Sequence, residues 1–176
     1  MSARHLILVL STIAAAACGA SACGLLERGG GPSEQGAGNG AGGGTGRVMR
    51  VVDGDTIEVQ LGATREKVRY IGVDTPETKH PAKGVECYGR QASELNARLV
   101  AGERVRLVRD VEERDRYGRL LAYVYRARDG LFVNAELARR GYAQPMPIAP
   151  DVRHAGRFAN LARDAHRKGR GLWSAC

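Results

Sequence analysis

The sequence has no apolar run long enough for a membrane-spanning helix, and it has no cluster of histidines. The N-terminal apolar run, Leu6–Ala17, is shorter than the ~20 residues that a spanning helix needs. Four histidines stand at positions 5, 80, 154 and 166 without the spacing of a zinc site, and we expect each to be solvated. A permanent membrane helix and a histidine-based zinc site are therefore disfavoured.

Acidic residues are also few, since 19 Asp and Glu stand against 27 Lys and Arg to give a formal charge of +8. Such a charge favours anionic partners such as nucleic acid or a lipid surface, although an arginine-rich solvated face gives the same sum. With 43% apolar residues the chain is too hydrophobic to be wholly disordered, and its glycines are too unevenly spaced for collagen. A length of 176 residues corresponds to one domain with extra segments.

The first 23 residues have the pattern of an export signal. Arg4 precedes the apolar run, and the small residues Ala20–Ala22 form a cleavage site ahead of Cys23. Small residues also precede Cys18, so either cysteine resembles the lipidated cysteine of a bacterial lipobox, although neither has the usual leucine three residues earlier. Residues 1–23 are predicted to be a signal peptide, either plainly cleaved or of the lipoprotein type. The protein is then exported, and secreted or tethered to the outer face of the bacterial membrane.

A glycine-rich segment separates this signal from the remaining chain. Ten of the eighteen residues from Gly29 to Gly46 are glycine, so residues 24–46 are predicted to be a flexible linker and residues 47–176 the folded domain. Two cysteines remain after processing, Cys87 and Cys176, and an oxidising compartment favours a disulfide between them. The alternative is two separate thiols.

Hydrophobic periodicity predicts five strands and three helices in this domain. Alternating or β-branched apolar residues mark the strands, which are expected at Val48–Val52, Thr56–Leu61, Lys67–Val73, Arg104–Leu107 and Leu120–Arg126. Helical spacing marks three further segments, which are Tyr88–Leu99, Val133–Leu137 and Phe158–Ala165. This order of elements favours an α+β fold built on a small barrel over a parallel sheet with crossover helices.

Three charged clusters lie at predicted strand ends, namely Asp53–Thr56, Asp74–Glu77 and Asp115–Arg119. Each cluster alone is a turn or a loop, because Asp-Gly and Pro are strong turn formers. Together they supply the carboxylates and arginines that a phosphodiester hydrolase needs. Carboxylate and carbonyl oxygens of the first two clusters suit a hard cation such as calcium, and arginine matches phosphate oxygens bidentately.

The domain resembles the staphylococcal nuclease (thermonuclease) family from Val48 to Ser174. The most specific match is the run of nine residues Val73–Pro81. The other matching blocks are in register with it, and they are Val52–Thr56, Arg69, Lys83–Glu86, Tyr88–Gly89, Asp115 with Tyr117–Arg119, Leu121–Tyr123 and Leu172–Ser174. The resemblance implies a five-stranded OB-fold barrel with three helices. It also implies calcium-dependent hydrolysis of DNA and RNA to products that end in 3′-phosphate.

The resemblance implies a role for each residue at a matching position. The catalytic set would be Arg69, Glu77 and Arg119. Calcium would be bound by Asp55, Asp74 and the carbonyl of Thr75. Substrate contacts would come from Asp53, beside the metal, and from Lys83 and Tyr117. In this scheme the arginines bind the phosphate and stabilise its developing charge, and the glutamate orients or deprotonates the attacking water.

One segment departs from the family pattern. Where the family has tyrosines that stack on substrate, this chain has Pro145–Pro150 without an aromatic residue, and stacking is worth ~1 to 3 kcal/mol per base. Two other functions are open: a nuclease fold that binds nucleic acid without cleaving it, and a tethered basic module that binds anionic polymers. No feature requires an obligate protein partner, and we expect a monomer that acts on DNA and RNA.

Overall fold

Residues 43–78 and 84–176 are described by a computed structural model. In chain order, the elements of these residues are β1 (Thr45–Val51), β2 (Thr56–Leu61), β3 (Thr64–Tyr70), β4 (Gly72–Asp74), α1 (Gly89–Val100), β5 (Arg104–Val108), β6 (Leu120–Arg126), α2 (Val133–Arg140), β7 (Gln144–Met146), α3 (Ala155–Arg167) and α4 (Leu172–Ala175).

Five of the strands form a closed barrel in the order β1, β2, β3, β6, β5. The β3–β6 pair is parallel, the other neighbouring pairs are antiparallel, and β1 closes the barrel against β5. Alternate residues of β2, such as Ile57 and Val59, are fully buried because side chains of a strand point to opposite faces. The predicted α+β fold, a five-stranded OB-fold barrel with three helices, is confirmed.

Helix α1 has the amphipathic pattern that the sequence predicted. Ala92, Leu95 and Leu99 are buried, whereas Arg98 on the opposite side is exposed. The helix begins one residue later than expected, because Tyr88 precedes it in the left-handed region with φ 69°. Its buried face packs on the barrel and fixes the chain segment that precedes it.

The strand expected at Lys67–Val73 is wrong as a single element, since it divides into β3 and β4. The break falls at Ile71, and Gly72 begins β4 with a φ of 77°, which favours glycine. A side chain here is also excluded by space, because a Cβ would lie 2.7 Å from a ring carbon of Phe158. After the break β4 leaves the barrel and pairs antiparallel with β7, so that Val73 faces Pro145. This turn directs Asp74 away from the barrel strand that precedes it.

Three further elements differ from the sequence-based expectation. Strand β1 begins at Thr45, inside the glycine-rich segment, because its first residues pair with β5 opposite Arg106. The segment Pro145–Pro150 was assigned no strand, yet its start pairs in β7. A short fourth helix, α4, follows α3 at the C-terminus.

The expectation of a solvated histidine is wrong for His154. Its ring lies 4.6 Å from the ring of Tyr123 and 5.1 Å from that of Phe132, centroid to centroid. Burial in this aromatic cluster, together with the charge of Arg157, lowers the pKa of His154 below 6.5. His166 is exposed, and its ring packs edge-on against Trp173.

The predicted disulfide is confirmed, since Cys87 and Cys176 are bonded with their Cα atoms 6.0 Å apart. It joins a residue two positions before the start of α1 to Cys176. The predicted signal peptide 1–23 and most of the linker 24–46 lie outside the described residues. Within the described ranges, no helix has both the length and the apolar composition needed to cross a membrane.

The buried carboxylate of Glu136 gives a pH-dependent contribution to stability. It accepts hydrogen bonds from Arg139 at 2.7 Å and Arg140 at 2.5 Å, and these partners hold its pKa below 4.5. A pKa lowered in the folded state stabilises the protein above the ordinary value, and this stability is lost as the pH falls through the lowered value. We expect Glu136→Gln to lower the free energy of unfolding by about 0.5 to 1 kcal/mol at pH 7. Urea unfolding between pH 7 and pH 2 measures this difference, and a difference that stays constant over that range contradicts the prediction.

Candidate active site

A pocket of about 200 Å³ lies where β2, β3 and β4 meet the loop before β6. It is lined by Asp53, Asp55, Thr56, Arg69, Asp74, Thr75, Pro76, Glu77 and Arg119. Eight of these nine residues come from the three charged clusters of the sequence, and the ninth, Arg69, belongs to β3. The nine include every predicted catalytic residue and every predicted metal-binding residue, together with Asp53.

The turn between β1 and β2 places two of these carboxylates. The amide of Asp55 donates to Oδ1 of Asp53 at 3.1 Å, and the amide of Asp53 donates to the carbonyl of Thr56 at 3.3 Å. From helix α1, the side chain of Asn96 donates to the carbonyl of Asp53 at 3.0 Å and accepts from the hydroxyl of Tyr70 at 2.9 Å. The turn is therefore fixed by buried groups of both the helix and the barrel.

Asp55 links this turn to the segment after β4. Its Oδ2 accepts hydrogen bonds from the amide of Thr75 at 2.8 Å and from the hydroxyl of the same residue at 3.0 Å. The two segments approach so closely at Gly54 that a Cβ there would lie 2.4 Å from Oγ1 of Thr75. The Asp-Gly-Asp sequence therefore meets a packing requirement as well as a turn requirement.

Arg69 lies between the two carboxylates predicted to bind metal. Only 8% of its surface is exposed. Its Nη2 donates to Oδ1 of Asp74 at 2.6 Å, and its Nη1 contacts Oδ1 of Asp55. Burial lowers the pKa of Arg69, and the charge of Asp74 opposes this effect. Arg69 therefore neutralises Asp55 and Asp74 together, and its guanidinium lines the pocket between them.

Asp53 lies in the same electrostatic environment but is not bonded to the arginine. Burial raises the pKa of Asp53 above 3.8, and the hydrogen bond from Thr56 and the charge of Arg69 reduce that effect. The charge of Glu77 acts in the same direction as burial, because two nearby carboxylates disfavour ionisation of each other. The pocket therefore brings four carboxylates and two arginines close together.

Glu77 is positioned by its main chain. Its amide donates to Oε2 of Glu86 at 3.0 Å, and the amide of Glu86 donates back to the carbonyl of Glu77 at 2.9 Å. Oε1 of Glu77 accepts from the amide of Thr78 at 2.7 Å. The first residue of α1, Gly89, passes so close that a Cβ there would lie 2.8 Å from the carbonyl oxygen of Glu77.

Arg119 is oriented by the turn that precedes β6. Its Nε donates to Oδ2 of Asp115 at 2.6 Å, and its amide donates to Oδ1 of the same carboxylate at 2.9 Å. The amide of Tyr117 also donates to that Oδ1 at 2.9 Å. A single aspartate therefore organises both the loop and the guanidinium that lines the pocket.

Comparison with known proteins agrees with this arrangement. The model of the family described as "Staphylococcal nuclease homologue" matches residues 67–175. The chain is 38% identical over 128 residues to the thermonuclease of Staphylococcus hyicus, covering 73% of this chain and 75% of that protein. It is 40% identical over 126 residues to the thermonuclease of Staphylococcus intermedius, covering 72% and 74%. The chain belongs to the staphylococcal nuclease family. A third relative, endonuclease YncB of Bacillus subtilis, is 39% identical over 127 residues, which are 71% of this chain and 59% of that protein.

Membership of the staphylococcal nuclease family makes the chain a nuclease, and nucleic acid its substrate class. The donor types of Asp55, Asp74 and Thr75 fit a hard cation, because calcium takes six to eight oxygen ligands from carboxylates, carbonyls and water. Among residues 43–78 and 84–176 no three His, Cys, Asp or Glu side chains form a metal-binding cluster. Two carboxylates and one carbonyl would leave further positions of a bound cation to water and phosphate, and both carboxylates also contact Arg69.

A second, larger cleft of about 520 Å³ adjoins the small pocket and shares Arg69 and Arg119 with it. Tyr117, predicted to contact substrate, lines this cleft and is 69% exposed. The opposite wall contains Met146 and Ile148 from the segment without aromatics. Where other members of the nuclease family present stacking tyrosines, this chain therefore presents aliphatic side chains.

Replacing Ile148 by tyrosine is expected to tighten binding of short single-stranded DNA. Stacking on an aromatic ring is worth ~1 to 3 kcal/mol per base, which corresponds to a KM about 5- to 150-fold lower. Steady-state kinetics on a short oligonucleotide measures the change, and Ile148→Leu is the control that adds no ring. An unchanged KM for the tyrosine variant contradicts a base-binding role for this wall.

Sequence reasoning missed the residues that position the site. Asp115, Glu86 and Asn96 contact the main or side chains of pocket residues, yet none was assigned a role. The signal for Asn96 is a carboxamide on the apolar face of α1, where a polar side chain needs a buried partner. The predicted phosphate contact Lys83 lies outside the described residues.

Proposed function

We propose that this nuclease hydrolyses the phosphodiester bonds of DNA and RNA, requires calcium, and leaves 3′-phosphate ends. The observation that carries the proposal is the 200 Å³ pocket, in which two arginines and four carboxylates surround a space of phosphate size. Phosphoryl transfer is catalysed mainly by positioning and by stabilisation of charge, and this pocket supplies both.

The arginines of the pocket bind the scissile phosphate. Arg69 is held by Asp74 and Asp55, and its guanidinium lines the pocket, where it attracts a phosphate oxygen. Arg119 is fixed by Asp115 and faces the same space, where it donates to the oxygen that gains charge as phosphorus becomes five-coordinate. When bound by Asp55, Asp74 and the Thr75 carbonyl, calcium adds positive charge beside the phosphate oxygens.

Glu77 acts on the attacking water. The water oxygen forms a bond to phosphorus and gives its proton to the Glu77 carboxylate, while the bond from phosphorus to O5′ breaks. The departing O5′ takes a proton from solvent, so the products are a 3′-phosphate and a 5′-hydroxyl. The backbone pairing of Glu77 with Glu86 fixes the carboxylate at the pocket wall during this step.

The proposal is tested with the purified protein and its Glu77→Gln variant on double-stranded DNA, single-stranded DNA and RNA. We expect cleavage with calcium, none with a chelator, and a rate ~10² to 10⁴ lower for the variant. A product whose 3′ end can be extended only after phosphatase treatment carries a 3′-phosphate. Retained binding without cleavage would instead favour the nuclease fold that only binds nucleic acid.

We further propose that the protein is exported, and either secreted after plain cleavage or lipidated at Cys18 or Cys23. The signal-like pattern of residues 1–23 supports export, and a disulfide between Cys87 and Cys176 suits an oxidising compartment. Labelling of cells with radioactive palmitate, followed by fractionation, is expected to give a labelled membrane-bound protein if it is lipidated. Cys18→Ser and Cys23→Ser identify the modified residue, and an unlabelled protein in the medium indicates plain cleavage.

A further inference from the structure

A row of basic side chains crosses the outer face of the barrel at the end far from the active site. In the strand pairing, Arg104 of β5 lies opposite Arg47 of β1, Arg47 lies opposite Gln60 of β2, and Gln60 lies opposite Arg65 of β3. The three arginines are exposed. Because neighbouring strands are ~4.8 Å apart, the row is about 14 Å long.

No arginine of this row has a close ion-pair partner among the described residues, although the charge of Glu58 acts on Arg65. No described carboxylate forms an ion pair with Arg47, Arg65 or Arg104 within 4.0 Å. Like charges placed directly opposite each other, as in the Arg47–Arg104 pair, are destabilising. Beside Arg47 and Arg104 is a depression of about 420 Å³, where Arg128 adds a further positive charge. Among the described residues that line it, Glu103 is the one acidic residue, and it pairs with Arg128 at 3.4 Å. A surface that retains such repulsion is suited to an anion.

Strand β3 connects the row to the active site. Side chains of a strand alternate in direction, so Arg65, Lys67 and Arg69 point to the same side, ~6.6 Å apart in succession. Arg65 belongs to the row, Lys67 is exposed, and Arg69 lines the catalytic pocket. The acid opposite Lys67 is Glu58, and Arg50 already pairs with it at 2.6 Å. Basic groups therefore run along β3 from the row to the pocket, with Glu58 beside them.

We propose that Arg104, Arg47, Arg65 and Lys67 form a basic track that binds the sugar-phosphate backbone of the substrate several nucleotides away from the cleaved bond. The proposal rests on the nuclease function and extends its binding site. From Asp55 to Gln60 along β2 is five residues, or about 17 Å, so a dinucleotide in the pocket does not reach the row. Only longer chains gain these contacts. The track thus favours polymeric nucleic acid over short fragments.

The test compares the parent with the triple variant Arg47→Ser, Arg65→Ser and Arg104→Ser. The ratio of kcat/KM for a 30-nucleotide single strand to kcat/KM for a dinucleotide is expected to fall about 10- to 100-fold. Binding of the 30-nucleotide strand is measured in a Glu77→Gln background at several salt concentrations. Each lost phosphate contact reduces the slope of log K against log salt by about 0.7, so we expect a reduction of about 2.

Two matched variants make the result specific. Arg98→Ser, Arg163→Ser and Arg167→Ser remove the same charge from exposed helical positions and are expected to leave the salt slope as in the parent. Replacing the three row arginines by lysine keeps the charge and is expected to restore most of the slope.

An unchanged slope in the serine variant, or an equal loss in the helical control, overturns the proposal. A serine variant that loses binding to phosphatidylserine vesicles but keeps DNA binding also overturns the proposal, because the surface would then bind a lipid. If the proposed nuclease function is wrong, the parent cleaves neither substrate. The basic track can still be tested in that case, because the binding measurement does not depend on cleavage.

Discussion

Replacing Arg119 by alanine is expected to lower kcat by ~10³ to 10⁵ while the protein remains folded. An arginine that stabilises charge at a phosphoryl centre is worth that factor, which corresponds to about 4 to 7 kcal/mol of transition-state stabilisation. The side chain is partly exposed and takes no part in the core, so its loss removes little packing. KM is expected to change less than kcat, because the contact strengthens as charge develops.

Two variants identify the origin of this effect. Asp115→Asn retains the arginine but weakens the carboxylate that orients it, and we expect a smaller loss of kcat than for Arg119→Ala. Arg109→Ala removes an arginine of the same loop region that pairs with Glu113 at 3.2 Å and lines neither cavity, and its kcat is expected to match the parent. Single-turnover kinetics isolates the chemical step. Equal kcat for Arg119→Ala and Arg109→Ala would remove Arg119 from the mechanism.

The barrel strands and the candidate site were predictable because local chemistry determined them. Alternation marked β2, and the Asp-Gly-Asp turn brought Asp55 beside Thr75, as the sequence motifs implied. The carboxylates and arginines assigned from the resemblance line one pocket because they lie in or next to β2, β3, β4 and β6. Turn residues at strand ends are the part of a fold that short motifs describe best.

The break after β3 was not predictable from the local pattern. Apolar and β-branched residues continue through Ile71 and Val73, and only Gly72 interrupts them. The reason for the interruption is Phe158, which lies 86 positions later and leaves no space for a Cβ. The positioning roles of Asn96 and Glu86 were hidden for the same reason, because their partners are set by tertiary packing. Such contacts override local propensity and leave little trace in a single sequence.

Removing the disulfide is expected to have the largest effect on stability. Cys87 and Cys176 are 89 positions apart, and closing a loop of that length stabilises a fold by ~4 to 5 kcal/mol in the chain-entropy model. The double variant Cys87→Ser and Cys176→Ser is therefore expected to unfold at a temperature roughly 10 to 20 °C lower. Urea denaturation of the parent, the reduced parent and the double variant measures the change, and the last two are expected to agree.

The same bond is expected to affect catalysis through Glu77. Cys87 directly follows Glu86, whose amide and carboxylate fix the main chain of Glu77, and it lies two residues before Gly89, which packs against the Glu77 carbonyl. Well below its unfolding temperature, the double variant is expected to show a kcat several-fold lower with little change in KM, because the carboxylate is less well positioned. Adding Glu77→Gln to the double variant separates the two effects. If the disulfide acts through Glu77, removing the disulfide from the Glu77→Gln variant is expected to lower kcat almost no further. If the two act independently, the factors by which each lowers kcat would multiply.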